Sequence, residues 1–158
     1  MIEGHFYFLK DQYYKDFPNQ GLMFNKETVN GKPHNRPCFY LYQDTTTGLY
    51  WMIPLSSKVQ KYEEIYNNKV SKYGQCDTIV FAEILGHKKA FLIQNICPAS
   101  EKYIGVEYTD KNNVPVRIPG NIEEDLRKKA KKIISLVRQG KKLVFPDILA
   151  IEKTLLNK

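Results

Sequence analysis

The stretch Cys38-Phe39-Tyr40-Leu41-Tyr42-Gln43-Asp44-Thr45-Thr46-Thr47-Gly48-Leu49-Tyr50-Trp51-Met52-Ile53 decides the fold class. Two runs rich in aromatic and branched side chains, Cys38–Tyr42 and Gly48–Ile53, flank a short polar segment. Such side chains fit a pleated, half-buried surface. Asp44–Gly48 has the composition of a hairpin turn, so the spacing predicts two strands paired antiparallel.

Working outward, Gly4–Leu9 predicts an earlier strand. Thr78–Glu83 and Lys89–Ile93 predict a second hairpin across Leu85-Gly86-His87. Val114–Ile118 predicts an edge strand, because Pro115 cannot donate to a central ladder. Helical spacing replaces alternation in two places. Val59, Tyr62, Ile65 or Tyr66, and Tyr73 recur at near-helical intervals among charged residues. Over about 121–139, Ile122, Leu126, Ala130, Ile133, Ile134 and Val137 make one apolar stripe, with lysines and arginines off it. Asn121 with Glu124 reads as a capping box and Gly140 as a stop. A last short helix follows Pro146-Asp147, docked by Ile148, Ile151 and Leu155. The expected fold is α+β: a compact, strongly twisted antiparallel sheet or small barrel with appended helices, one of them long and basic.

At 158 residues, 42% of them hydrophobic and 26% charged, the chain suits a single domain spanning 1–158. No apolar run approaches the roughly 18–20 residues needed to span a bilayer. The first residues, Met1–His5, show no secretory leader pattern, so a cytoplasmic protein with no membrane partner is expected. Cys38, Cys76 and Cys97 have neither disulfide-framework nor zinc-site spacing and read as reduced, part-buried residues. Net charge is +7, and residues 121–158 carry ten basic against five acidic side chains. An anionic partner fits that balance, although a basic helix by itself is also an ordinary solvated face.

His5, His34 and His87 lie far apart, with no HExxH, CxxC or paired acidic cluster, so no metal and no cofactor is expected. Phosphate-cradling glycine motifs and the GxSxG elbow are missing as well. RNA offers chemistry that side chains alone can promote, because its own 2′-hydroxyl attacks the adjacent phosphate. The protein must align the backbone, stabilise a charged transition state and handle two protons. Two segments qualify. Pro54-Leu55-Ser56-Ser57-Lys58 puts two hydroxyls and an ammonium between a strand and a helix, where an anion is favoured. The same residues also read as plain N-cap chemistry. Gly31-Lys32-Pro33-His34-Asn35-Arg36-Pro37 reads as an irregular loop, either solvated or presenting Arg36 to a phosphate and His34 to a proton. His5 reads as a satisfied structural residue and His87 as an exposed turn residue.

Taken with Gly4–Phe8, Trp51–Ile53, Cys76–Phe81 and Phe91–Pro98, these segments resemble the endoribonuclease toxins of type III toxin–antitoxin systems, the ToxN/AbiQ/CptN group, and among them the CptN branch. The resemblance implies a barrel related to Kid/MazF toxins and metal-independent cleavage of single-stranded RNA, cellular mRNA and the antitoxin precursor included. The products carry 2′,3′-cyclic phosphate and 5′-hydroxyl ends. A small structured RNA, cut from a tandem-repeat precursor, inhibits the toxin and closes with it into a cyclic protein–RNA complex. Such toxins serve phage defence by abortive infection, or locus maintenance. The family's hydroxyl–hydroxyl–basic segment falls on Ser56, Ser57 and Lys58, and its upstream basic residue on Arg36. Many members have a proline before the lysine and a lysine where Arg36 stands. Arginine is a poor proton donor, which gives Arg36 charge stabilisation and turns proton transfer towards His34 or Lys58. Tyr7 and Lys32 are expected to touch RNA, and Arg127, Lys128, Lys131 and Lys132 to grip antitoxin phosphates. The competing expectations are a type II Kid/MazF-like toxin with a protein antitoxin and a non-catalytic, basic RNA-binding barrel.

Overall fold

The computed structural model describes residues 1–157; Lys158, counted above among the basic residues, lies outside them. In chain order the elements are β1 (Phe6–Leu9), α1 (Asp11–Asp16), β2 (Lys26–Val29), β3 (Lys32–Asn35), β4 (Pro37–Gln43) and β5 (Tyr50–Ser56). There follow α2 (Val59–Tyr73), β6 (Ile79–Ile84), β7 (His87–Leu92), β8 (Cys97–Ala99), β9 (Ile104–Glu107), α3 (Gly120–Arg138) and α4 (Ile148–Leu156). The fold is α+β. Among the described residues, seven strands form one sheet in the order β6-β7-β5-β4-β1-β9, with β8 also on β5, and β2 and β3 form a separate hairpin. Every pairing is antiparallel. The ends of the path, β6 and β9, do not meet, so the sheet is open and not a closed barrel.

The hairpin β4–β5 runs as its sequence predicts, with Asp44 binding its own turn: its Oδ1 accepts from Thr46 N at 2.8 Å. The β6–β7 hairpin closes through Leu85 and Gly86, both at positive φ (51° and 81°), the two-residue geometry matched to strand twist. Alternate residues of the central strands feed two cores. Phe6, Phe39, Leu41, Trp51 and Ile53 pack with Leu126, Ala130, Ile133 and Ile134 of α3. Tyr7, Cys38, Tyr40 and Met52 pack with Tyr13 of α1 and with Ile151 and Leu155 of α4. Burial on both faces is why β4 and β5 read as nearly unbroken apolar runs.

Strand β5 does not stop at Ile53 but runs on to Ser56. It changes neighbour along one edge, pairing β8 at Tyr50–Met52 and β7 at Leu55–Ser56. Pro54, which has no N–H to give a ladder, stands at that break. Residues 31–37 are not an irregular loop. Asn30 and Gly31, both at positive φ, turn β2 into β3. Val114–Ile118 is not a strand: only Thr109 and Pro115 bridge there, while Val116 and Ile118 turn into the core under α3. The expected capping box does not form either. Pro119 occupies the N-cap position of α3 with no side-chain cap, and Glu123 turns to Arg117. Asp147 does cap α4, accepting from Ala150 N at 3.2 Å.

Candidate active-site cleft

The end of β5 opens on a cleft of about 340 Å³, lined by several separate parts of the chain. The β2–β3 hairpin supplies Glu27, Val29, His34 and Asn35. The β6–β7 hairpin supplies Ile84 and Lys89. Between them lie Arg36, Ser56 and Ser57, with Phe8 and Tyr108 as an aromatic wall. Those two rings meet edge-on, centroids 5.6 Å apart.

A buried carboxylate organises the polar floor. Glu27 Oε2 accepts from Ser56 Oγ at 2.5 Å and its Oε1 from Ser57 N at 2.8 Å. Arg36 Nη1 donates to the same Glu27 Oε2 at 3.1 Å and to Leu55 O at 2.5 Å, and its Nε donates to Phe24 O at 3.0 Å. Glu27 and Arg36 are 8% and 6% exposed, so the pair is largely withdrawn from water. Burial raises the Glu27 pKa. The bonds from Ser56 and Ser57 and the Arg36 charge outweigh it and hold the carboxyl below its ordinary value. The floor is therefore an ionised, multiply bonded unit.

Ser57 Oγ has another partner. Because Ser56 is in register with Ala90 on β7, the next residue outward on each strand is Ser57 and Lys89. Lys89 Nζ donates to Ser57 Oγ at 2.6 Å. Register, not sequence adjacency, sets this lysine on the hydroxyl. Lys58 goes elsewhere: it takes the N-cap position of α2, its side chain exposed and outside the lining. No side chain caps α2, so the N-cap reading of Ser56-Ser57 does not hold. Ser56 Oγ instead accepts from Lys58 N at 3.1 Å in the turn.

Of the expected site residues, Ser56, Ser57, Arg36 and His34 come together at one cleft. His34 is exposed and in register with Glu27. Tyr7 is not in the cleft: it points to the other face of β1, packs on Tyr40, and its hydroxyl accepts from Ile2 N at 2.8 Å. Phe8, its neighbour, is the β1 aromatic facing the cleft. Lys32 is exposed beside the β2–β3 turn, and no residue of α3 lines the cleft. On α3, Arg127 pairs with Glu3, Lys132 pairs with Asp77, Lys131 lies over the Tyr42 ring and Lys128 is exposed. His5 is satisfied as expected, with Nδ1 on Glu107 at 2.5 Å and Nε2 by Arg117 at 3.2 Å. Cys38, Cys76 and Cys97 are free and buried. Two residues that sequence reading passed over, Glu27 and Lys89, make the decisive contacts. The signals for them were the Asn30-Gly31 hairpin dipeptide and the predicted β7 strand itself.

Among the described residues, no group of three or more His, Cys, Asp or Glu side chains converges, and no helix is long and apolar enough to cross a membrane. Comparison with known protein families and with curated proteins returned no match for this chain.

Proposed function

We propose that the protein is a metal-independent endoribonuclease that cleaves single-stranded RNA by attack of the ribose 2′-hydroxyl on the adjacent phosphate. The observation that carries this reading is one cleft presenting the Ser57 hydroxyl with a lysine ammonium on it, Ser56 bonded into the floor behind it, and an imidazole at its rim. The 2′-oxygen bonds to phosphorus as the bond to the 5′-oxygen breaks. The 2′-proton passes to His34, and an ammonium at the serine pair supplies the proton that the departing 5′-oxygen takes up. Exchange with water restores both groups. Ser57 hydrogen-bonds a phosphoryl oxygen, Ser56 holds the turn through its bond to Glu27, and the ammonium on Ser57 favours the phosphorane. The product ends are a 2′,3′-cyclic phosphate and a 5′-hydroxyl.

In this proposal the enzyme is the toxin of a type III toxin–antitoxin system and acts in the cytoplasm. Its inhibitor is a small structured RNA, assembled with it in a cyclic complex. The sequence resemblance supports that part, together with exposed Lys128 and Lys131 on α3 as phosphate contacts. The test is incubation of purified protein with end-labelled RNA in excess EDTA, with the product ends analysed by mass spectrometry. Cyclic-phosphate ends from the wild type and none from Ser57→Ala are expected. Intact RNA, or 3′-hydroxyl and 5′-phosphate ends, would refute the reading, and tight binding without cleavage would make the protein a plain RNA binder.

A further inference from the structure

We infer that Lys89 is the proton donor to the leaving 5′-oxygen, and that Arg36 and Glu27 are positioning residues; this rests on the ribonuclease reading above. Three observations carry it. Lys89 Nζ is bonded to Ser57 Oγ at 2.6 Å, on the cleft side of β7, whereas the Lys58 side chain is exposed at the start of α2 and outside the lining. Both Nε and Nη1 of Arg36 donate to protein acceptors, and its charge faces the Glu27 carboxylate in a buried pair. Guanidinium, moreover, holds its proton too tightly to pass it on.

The charges of the cleft then sort themselves. Glu27 and Arg36 neutralise each other in the floor, and Lys89 remains as the cation whose bond goes to a hydroxyl instead of a carboxylate. An ammonium has three protons to direct. One holds Ser57 Oγ, and a second reaches the oxygen that leaves phosphorus on the same side. As the P–O5′ bond breaks, its electron pair stays on the 5′-oxygen. That oxygen takes a proton from Lys89, which becomes a neutral amine and is recharged from water. The 2′-proton has already gone to His34, so protons balance over the cycle. The Glu27–Arg36 pair fixes the Ser56-Ser57 turn against β7, and so fixes where Ser57 meets Lys89.

The test compares two substrates of one sequence, one with the natural 5′-oxygen and one with sulfur at the bridging 5′ position. A thiolate leaves without a proton donor. Lys89→Ala and Lys89→Arg are each expected to lose about a hundredfold or more in rate on the oxygen substrate, the usual scale for a general acid. Both are expected to come back to within about tenfold of wild type on the sulfur substrate. Lys88→Ala, whose lysine pairs with Glu63 away from the cleft, serves as the unchanged control. Far-ultraviolet circular dichroism and melting curves check that each variant folds. Glu27→Gln is expected to slow both substrates alike, because it disturbs the turn and not the proton. Retained activity in Lys89→Ala, a loss that sulfur does not rescue, or a larger, sulfur-rescued loss in Lys58→Ala each overturns the assignment. No cleavage by the wild type overturns the functional reading itself and this assignment with it, a distinct result from an active wild type with an active Lys89→Ala.

Discussion

Replacing Glu27 with alanine removes the acceptor shared by three donors: Ser56 Oγ, Ser57 N and Arg36 Nη1. Removing one partner of a buried ion pair costs about 3–5 kcal/mol, because the remaining charge is left without compensation. Arg36 keeps Phe24 O and Leu55 O, and half-buried Ser57 can turn to water, so the low end applies, about 3 kcal/mol. For a domain of this size that lowers the melting midpoint by roughly 6–12 °C. The informative comparison is the double variant Glu27→Ala/Arg36→Met, which removes both charges and leaves an apolar stem in place. Its destabilisation should fall short of the sum of the two single variants by at least about 1 kcal/mol. Urea unfolding of all four proteins measures the cycle. A loss below 1 kcal/mol for Glu27→Ala, or strict additivity, would show that the pair does not hold the floor together.

Three more expectations follow from particular contacts. The Glu27 pKa is lowered on folding, so its contribution is complete above the ordinary carboxylate range, near ~4.3, and fades as pH falls through the lower folded value. Unfolding curves between pH 7 and 3 should therefore converge for wild type and Glu27→Gln at the acid end, and curves that stay parallel would remove this account. Burial pushes both the Cys38 and Cys97 thiols up, the latter to about 12, so neither should be alkylated in the native protein, while all three cysteines should react in denaturant. Mass spectrometry counts the adducts, and rapid native labelling of Cys97 would contradict the packing. Gly105→Ala sets a new Cβ 2.7 Å from Phe8 O, a backbone atom of the neighbouring strand. It should cost roughly 1–3 kcal/mol by overpacking, and an unchanged melting midpoint would show that β1 and β9 yield there.

Much of this fold can be read locally. Turn residues between two aromatic runs give β4–β5, and a 3.6-residue stripe gives α3, because both signals sit within one short window. The β2–β3 hairpin is harder: all four residues of β3 are exposed, and Pro33 argues against a strand. Its clue is the turn alone. The candidate site is legible only in part for a related reason. Ser56 and Ser57 are adjacent in the chain, but the carboxylate that holds them comes from Glu27 and the ammonium from Lys89, on separate hairpins. Adjacency pointed to Lys58. Antiparallel register, which no local window contains, points to Lys89. Tyr7 illustrates the period-two rule from the other side, since one step along β1 moves an aromatic from the cleft to the opposite core.

Net charge is a weak guide to where a polyanion would bind, for a reason visible in the ion pairs. The basic excess lies towards the C-terminal end, yet Arg127, Lys129, Lys132 and Arg138 of α3 each face a carboxylate: Glu3, Asp125, Asp77 and Glu152. The exposed ones contribute little to stability, about 0–1 kcal/mol each, whereas Arg138 holds buried Glu152 bidentately; all four cancel charge that a polyanion would otherwise meet. Among the described residues of that helix, Lys128 and Lys131 are the cations with no such pair. A charge count over 121–158 therefore overstates the free positive charge of the helix and says nothing of Lys89, which stands out by its place on the Ser57 hydroxyl. In the cleft the same logic runs in reverse. One buried pair removes two charges from the account and leaves one ammonium on a serine hydroxyl, and a charge in such a part-buried site is screened less than one on open surface.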